Sequence, residues 1–193
     1  MSIMSEAALK TRSVYRGRLL KVRVDTVKLP NGRKTTREIV EHPGAVAIIP
    51  LLENGKLLLV KQYRNAVRRR LIEIPAGTLE VGEAPLPCAR RELIEETGYA
   101  ARRFTKLFSC YLAPGYSTEN IHFFLASKLV PTKAKQADDE NIIVQPMGLD
   151  EALKAIEQGK IQDAKTISAL YYLAIHENKR RRASKSGQRQ SIE

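Results

Sequence analysis

The stretch that most limits what this chain can be is residues 77–99, GTLEVGEAPLPCARRELIEETGY. Gly77 is followed after five residues by Glu83, and after seven more by Arg91-Glu92-Leu93-Ile94-Glu95-Glu96-Thr97-Gly98 and the apolar Tyr99. Pro85 and Pro87 suit the first turn of a helix, where missing amide donors cost little, and the spacing predicts a helix over 85–97. On that helix Glu92 and Glu96 fall four apart on one face, with Glu95 three residues from Glu92. Carboxylates so crowded repel one another, and the arrangement is costly unless a cation neutralises it. Ligands that are all oxygens suit a hard divalent ion such as Mg²⁺ or Mn²⁺ rather than zinc. Arg91 can offset part of the repulsion through an i,i+4 contact with Glu95, and Glu83 near the helix start complements its dipole. An acidic, solvated helix face is the plain alternative for such a run. It leaves the fixed offsets of Gly77, Glu83 and Arg91 unexplained.

A chain of 193 residues with 43% hydrophobic and 28% charged side chains is long enough for one domain with a real core. No stretch approaches a membrane span, and the start MSIMSEAALK lacks the apolar core of a secretory signal, so residence in the cytoplasm is expected. Cys88 and Cys110 have no metal-ligand spacing and read as reduced thiols. The net charge is +12, and the segment from 179 to 193 holds six basic side chains against Glu193. A basic body fits an anionic substrate, but it fits nucleic acid equally well.

Residues 13–41 read as strands: Val22, Val24 and Val27 alternate, and Pro30-Asn31-Gly32 supplies a turn before 34–40. This predicts an antiparallel ribbon. The unbroken apolar run 44–52 marks a strand buried on both faces, and Glu53-Asn54-Gly55 is expected to turn it into a hairpin with 56–64. Pro75 and Gly77 around Ala76 suggest an irregular connection whose Ala76 carbonyl is free to act as an oxygen ligand. Strands are expected over 102–112 and 120–129, then a polar loop over 131–140 and a short strand over 141–147. Leu149, Leu153 and Ile156 repeat at helical spacing before Gly159, and Ile167, Leu170, Tyr171, Ala174 and Ile175 mark a final helix. The remainder has no apolar period and is expected to be disordered.

The 77–99 pattern resembles the signature of the Nudix hydrolases at every charged and glycine position, Tyr99 standing where that family usually has an aliphatic residue. Gln62-Tyr63-Arg64, Glu73-Ile74-Pro75-Ala76-Gly77, Pro114-Gly115-Tyr116 and Glu119 look like the ADP-ribose pyrophosphatase branch, whose marker proline matches Pro114. The resemblance implies an α/β fold, a mixed β-sheet sandwiched between α-helices with an N-terminal antiparallel β-ribbon. It divides the chain into a ribbon at 1–42, exchanged across a homodimer, a hydrolase domain at 43–178 and a basic tail at 179–193.

By that resemblance the metal ligands are the Ala76 carbonyl, Glu92 and Glu96, with Glu95 a further ligand or a holder of metal-bound water. Gly77, Glu83, Arg91 and Gly98 shape the box. Arg64 contacts the substrate's phosphates, Arg37 is a second candidate for that task, and Glu73, Pro114, Gly115 and Tyr116 complete the substrate side. A planar guanidinium can grip two phosphate oxygens at once, which is the physical case for both arginines. Glu140, in the Asp138-Asp139-Glu140 loop, matches the residue that orients or deprotonates the attacking water. The implied reaction is Mg²⁺-dependent hydrolysis of ADP-ribose, or a related nucleoside diphosphate sugar, to a nucleoside monophosphate and a sugar phosphate. Other nucleoside diphosphate derivatives, and a binding module for ADP-ribose or RNA that uses the basic tail, are the competing readings. With no tryptophan in the chain, base stacking would fall to residues such as Tyr15, Tyr63 or Tyr116. His42, His122 and His176 show no ligand spacing.

Overall fold

A computed structural model describes residues 5–132 and 142–189, with side chains described as far as 177. Three strands come first, β1 (Ala7–Arg16), β2 (Lys21–Lys28) and β3 (Lys34–Glu41), paired in that order as the antiparallel ribbon expected from the sequence. β1 starts six residues before the first expected strand position, at Ala7 rather than 13, and every residue of it is exposed.

The centre of the molecule is β4 (Ala45–Pro50), all six of whose residues are buried. Its two edges are taken by β7 (Ala76–Thr78), antiparallel, and β9 (Asn120–Pro131), parallel, and β8 (Tyr99–Tyr111) closes the mixed sheet in the order β7-β4-β9-β8. This corrects the expected 44–64 hairpin. The turn at Glu53–Gly55 exists, but only one bridge, Leu51 to Leu57, joins its arms. With both edges of β4 occupied, β5 (Leu57–Arg64) passes into a second sheet with β6 (Arg69–Glu73) and β10 (Ile143–Met147).

Alternation along β4 builds two cores. Val46 and Ile48 pack with Cys88, Ala89 and Leu93 of α1 (Pro85–Thr97) and with Phe124 and Ala126 of β9. Ala45, Ala47 and Ile49 face the other way, onto Leu57, Leu59, Phe123, α2 (Leu149–Glu157) and the start of α3 (Ala164–Arg189). The mixed sheet therefore lies between α1 on one side and the second sheet with α2 and α3 on the other. Phe108 stacks on Phe123 at 4.3 Å and meets Tyr172 of α3 at 4.6 Å, fixing that helix across the sheet.

α1 spans the residues expected for it, because Pro85 occupies its first position and Gly98 ends it in the left-handed region at φ 72°. α3 overruns its expected end. The backbone is helical to Arg189, where the sequence led us to expect disorder from 179. Once a helix is nucleated by packing, each added residue gains a backbone bond, and Lys, Arg, Ala and Gln extend it without any apolar period. No helix among the described residues is long and apolar enough to cross a membrane.

Candidate active site

Two walls face each other across a cleft of about 260 Å³ lined by Ala45, Arg64, Ala76, Gly77, Glu119 and Lys165, among others. The first wall is β7 with α1. β7 is a regular short strand rather than the irregular connection expected, and its register explains what it offers. Ile48 N–H donates to the Pro75 carbonyl and Leu79 N–H to the Gly44 carbonyl, so alternate residues from 75 to 79 bond to β4. Ala76 and Thr78 are the other set, with their amide and carbonyl groups turned away from β4 toward α1. There Ala76 N–H donates to Glu96 Oε2 at 3.1 Å, and the Thr78 carbonyl accepts from Arg91 at 3.4 Å.

Gly77 is favoured by contact rather than by φ, since a side chain here would displace the Glu92 carboxylate. A Cβ placed on it would lie 1.8 Å from the Glu92 carboxyl carbon and 1.9 Å from Oε1, so the Glu92 carboxylate occupies the space that any other residue would fill. Glu92 and Glu96 thus both close on the Ala76–Gly77 backbone. Arg91 stands beside them as a clamp, donating to Glu83 at 3.0 Å, Glu92 at 2.7 Å and Glu95 at 3.0 Å. That guanidinium holds the Glu83 carboxyl down at about 2, and its own pKa is raised by the same contact. Glu83, just before the helix, also accepts from Glu80 N–H at 3.1 Å, so it ties the loop to Arg91 as well as facing the helix dipole. Burial, with Glu83 adding to it, pushes the Cys88 thiol up to about 12, which leaves it an inert packing group.

The second wall is the β5–β6 hairpin with the start of α3. Glu73 is 1% exposed, and both its oxygens are gripped by Arg64, at 2.8 and 2.7 Å. Lys165 also bonds Glu73, and reaches Asp163 at 3.0 Å. Burial would raise the Glu73 pKa, but the two cations outweigh it and hold it below the ordinary range. Asp163 caps α3 by accepting from Thr166 N–H at 2.9 Å, and Thr166 Oγ1 accepts from Ile74 N–H at 2.9 Å. Asp163, Lys165 and Thr166 went unrecognised in the sequence. Their only signal there was an Asp before a helix, and their partners Glu73 and Ile74 lie 92 residues away.

Pro114, Gly115 and Tyr116 sit in the loop between β8 and β9, whose ends Leu112 and Glu119 line the cleft. Arg37 does not line it: on β3 it pairs with Glu6 at 2.5 Å. Glu140 falls outside the described residues. Among the described residues no three acidic, His or Cys side chains converge as a ready metal cage. Arg91 draws Glu83, Glu92 and Glu95 to itself, and of these Glu92, together with Glu96, also lies against the Ala76–Gly77 backbone. A larger hollow of about 380 Å³ around Arg103, Lys106 and Tyr172 contains no box residue, and Glu177 is its only carboxylate among the described residues.

The charge balance of the cleft follows. Across the two walls and the adjoining loop, Arg64, Arg91 and Lys165 stand against Glu73, Glu83, Glu92, Glu95, Glu96, Glu119 and Asp163. An anionic diphosphate would be repelled by that excess. A divalent cation held by hard oxygen donors would reverse it, and the donor set fits such an ion.

Comparison with known proteins shows the family of the chain. Residues 41–170 match the NUDIX domain model, and residues 7–40 match the model for the nucleoside diphosphate sugar hydrolase N-terminal domain. The chain is 42% identical over 179 residues to an ADP-ribose pyrophosphatase of Bacillus subtilis, covering 92% of this chain and 97% of that one. It is also 42% identical over 179 residues to a methanol dehydrogenase activator of Bacillus methanolicus, covering 91% and 96%. In fold it is similar to the crystal structure of an ADP compounds hydrolase, with a TM-score of 0.83 at 24% identity over 93% of this chain and 98% of the other. The family match spans well over half the chain and overlies both walls of the cleft, and the protein belongs to the Nudix hydrolases.

Proposed function

We propose that this Nudix hydrolase cleaves ADP-ribose, or a closely related nucleoside diphosphate sugar, to AMP and ribose 5-phosphate with the help of Mg²⁺ or Mn²⁺. The observation that carries the reading is the closure of Glu92 and Glu96 on the Ala76–Gly77 backbone, which lines the same cleft as Arg64 and Lys165. The printed name of the Bacillus subtilis relative and the match of residues 7–40 to a nucleoside diphosphate sugar hydrolase model support the substrate class.

Glu92, Glu96 and the Ala76 carbonyl would hold the divalent ion, with Glu95 as an outer holder kept in place by Arg91. When bound, such an ion supplies positive charge to the diphosphate and lowers the pKa of water. Arg64, fixed by Glu73, would orient the phosphates with its remaining donors, and Lys165 would add positive charge on the same wall. Glu73 acts beneath them as a support. Glu140 would accept the proton of the attacking water as the bond from phosphorus to the bridging oxygen breaks. Pro114, Gly115 and Tyr116 would border the nucleoside or sugar end. Arg37 would reach a substrate only from a neighbouring copy, in a homodimer built through the exposed ribbon, and residence in the cytoplasm accompanies this reading.

Steady-state release of monophosphate from ADP-ribose beside a panel including a GDP-sugar and a capped RNA end, with Mg²⁺ and with chelator, tests it. ADP-ribose turnover that disappears with chelator is expected, and preference for another member of the panel would replace the substrate. Glu140→Gln should lower kcat about 10²-fold with Mg²⁺ affinity retained, as read by Mg²⁺ titration. A wild-type rate in that variant removes Glu140 as the base.

A further inference from the structure

We infer that Thr118 is a positioning residue that fastens the cleft loop 112–119 to the N-terminal ribbon, so that the ribbon's seating sets substrate affinity. The loop is first made rigid within itself. Tyr116 and Ser117 both donate their amides to the Ala113 carbonyl, at 3.1 and 2.8 Å, and Glu119 N–H donates to Ser117 Oγ at 3.1 Å. It is then sewn onto the outer edge of β3. Val40 N–H donates to the Tyr116 carbonyl at 2.8 Å, Thr118 N–H donates to the Val40 carbonyl at 3.0 Å, and the two segments form a parallel bridge.

Thr118 is the only side chain in this seam that works in both directions among the described residues. Its Oγ1 accepts from His42 N–H at 2.9 Å and donates to the His42 carbonyl at 3.3 Å. His42 leads directly to the other wall. Its Nδ1 accepts from Gly44 N–H at 3.1 Å, and the Gly44 carbonyl accepts from Leu79 N–H, inside the box. Gly44 itself sits at φ 101°, in the region that favours glycine, with Leu79 and the Asn120 carbonyl 3.1 and 3.3 Å from where a Cβ would be, so another residue here would strain the path between ribbon and box.

The ribbon therefore does not hang from the domain by a linker. Residues 42–44 are held on one side by the cleft loop and on the other by the box entry. The loop supplies Leu112 and Glu119 to the cleft but none of the box carboxylates. Loosening the seam should weaken ground-state binding of substrate and leave the chemical step nearly untouched.

The inference rests on the proposed substrate class, and the experiment separates the two. In the ligand-free full chain, Thr118→Val should speed amide exchange of Val40 and His42 about tenfold relative to wild type, since the substitution keeps the shape and removes the hydroxyl. Unchanged exchange overturns the inference whatever the substrate is. In hydrolysis of ADP-ribose, Thr118→Val should raise KM about tenfold with kcat within about twofold, and Thr118→Ser should restore KM. An unchanged KM, or failure of Ser to restore it, also overturns it. If thermal unfolding shows that the Val variant is not folded, Thr118→Ser against Thr118→Ala carries the same comparison. Absence of any ADP-ribose turnover in wild type would instead overturn the proposed substrate, and the exchange measurement would then decide the inference alone.

Discussion

The two walls of the cleft are built on opposite plans. On the box side one cation, Arg91, holds three carboxylates, Glu83, Glu92 and Glu95. On the hairpin side one carboxylate, Glu73, holds two cations, Arg64 and Lys165. Arg91 and its partners retain a negative excess that only a further cation can remove, whereas the hairpin wall is nearly balanced by Asp163 and is fixed in geometry. Nearness of opposite charges therefore has two results: an anionic wall that suits the proposed divalent ion on one side and a preset pair of cations on the other.

The comparison can be broken most severely at the box. Glu96→Gln should lower kcat/KM on the order of 10³-fold, because it weakens both the proposed ion site and the bond to Ala76 N–H, and steady-state rates across a Mg²⁺ titration check this. On the opposite wall Glu73→Gln should act first on folding. It removes the carboxylate that Arg64 and Lys165 share, leaving Lys165 with Asp163, and should cost about 3 kcal/mol in urea unfolding, with Arg64, 40% exposed, recovering some hydration. Arg64→Lys keeps the charge and loses the two-pronged grip, so KM should rise about tenfold with a smaller change in kcat.

The smallest effect is a pH dependence. Glu83 has a folded pKa of about 2 against an ordinary 4.5, so it binds fewer protons when folded and stabilises the protein as pH rises. Glu83→Gln should therefore be less stable than wild type by a constant margin above about pH 4.5. The margin should narrow as pH falls and close near pH 2, measured by thermal unfolding across that range. A margin that persists at pH 2 would mean that the side chain acts through shape and not charge.

How far the sequence could be read follows the same division. The box wall was legible because its members lie within a single strand–loop–helix segment, punctuated by Pro85, Pro87 and Gly98 at positions where local chemistry decides. The triple contact of Arg91 was only partly legible: helical spacing gave Glu95, Glu92 is its immediate neighbour on the helix, and Glu83 required the path of the loop. Lys165 was not legible, since a basic residue in the first turn of a helix ordinarily signals nothing and its partner is set by tertiary packing. Nor was the separation of β4 from β5. Turn chemistry at Asn54-Gly55 predicts a hairpin locally, and it was overruled by β9, which arrives some 70 residues later to take the edge of β4.

The bond from Ile74 to Thr166 has a further consequence for how the protein comes into being. A chain emerging from the ribosome as far as Thr97 already contains the whole box wall. It contains Arg64, Glu73 and Ile74 as well, but neither the lysine that bonds Glu73 nor the threonine that bonds Ile74. The anionic half of the cleft is complete in sequence nearly 70 residues before its counterpart, and the last helix to be made is the one that closes it.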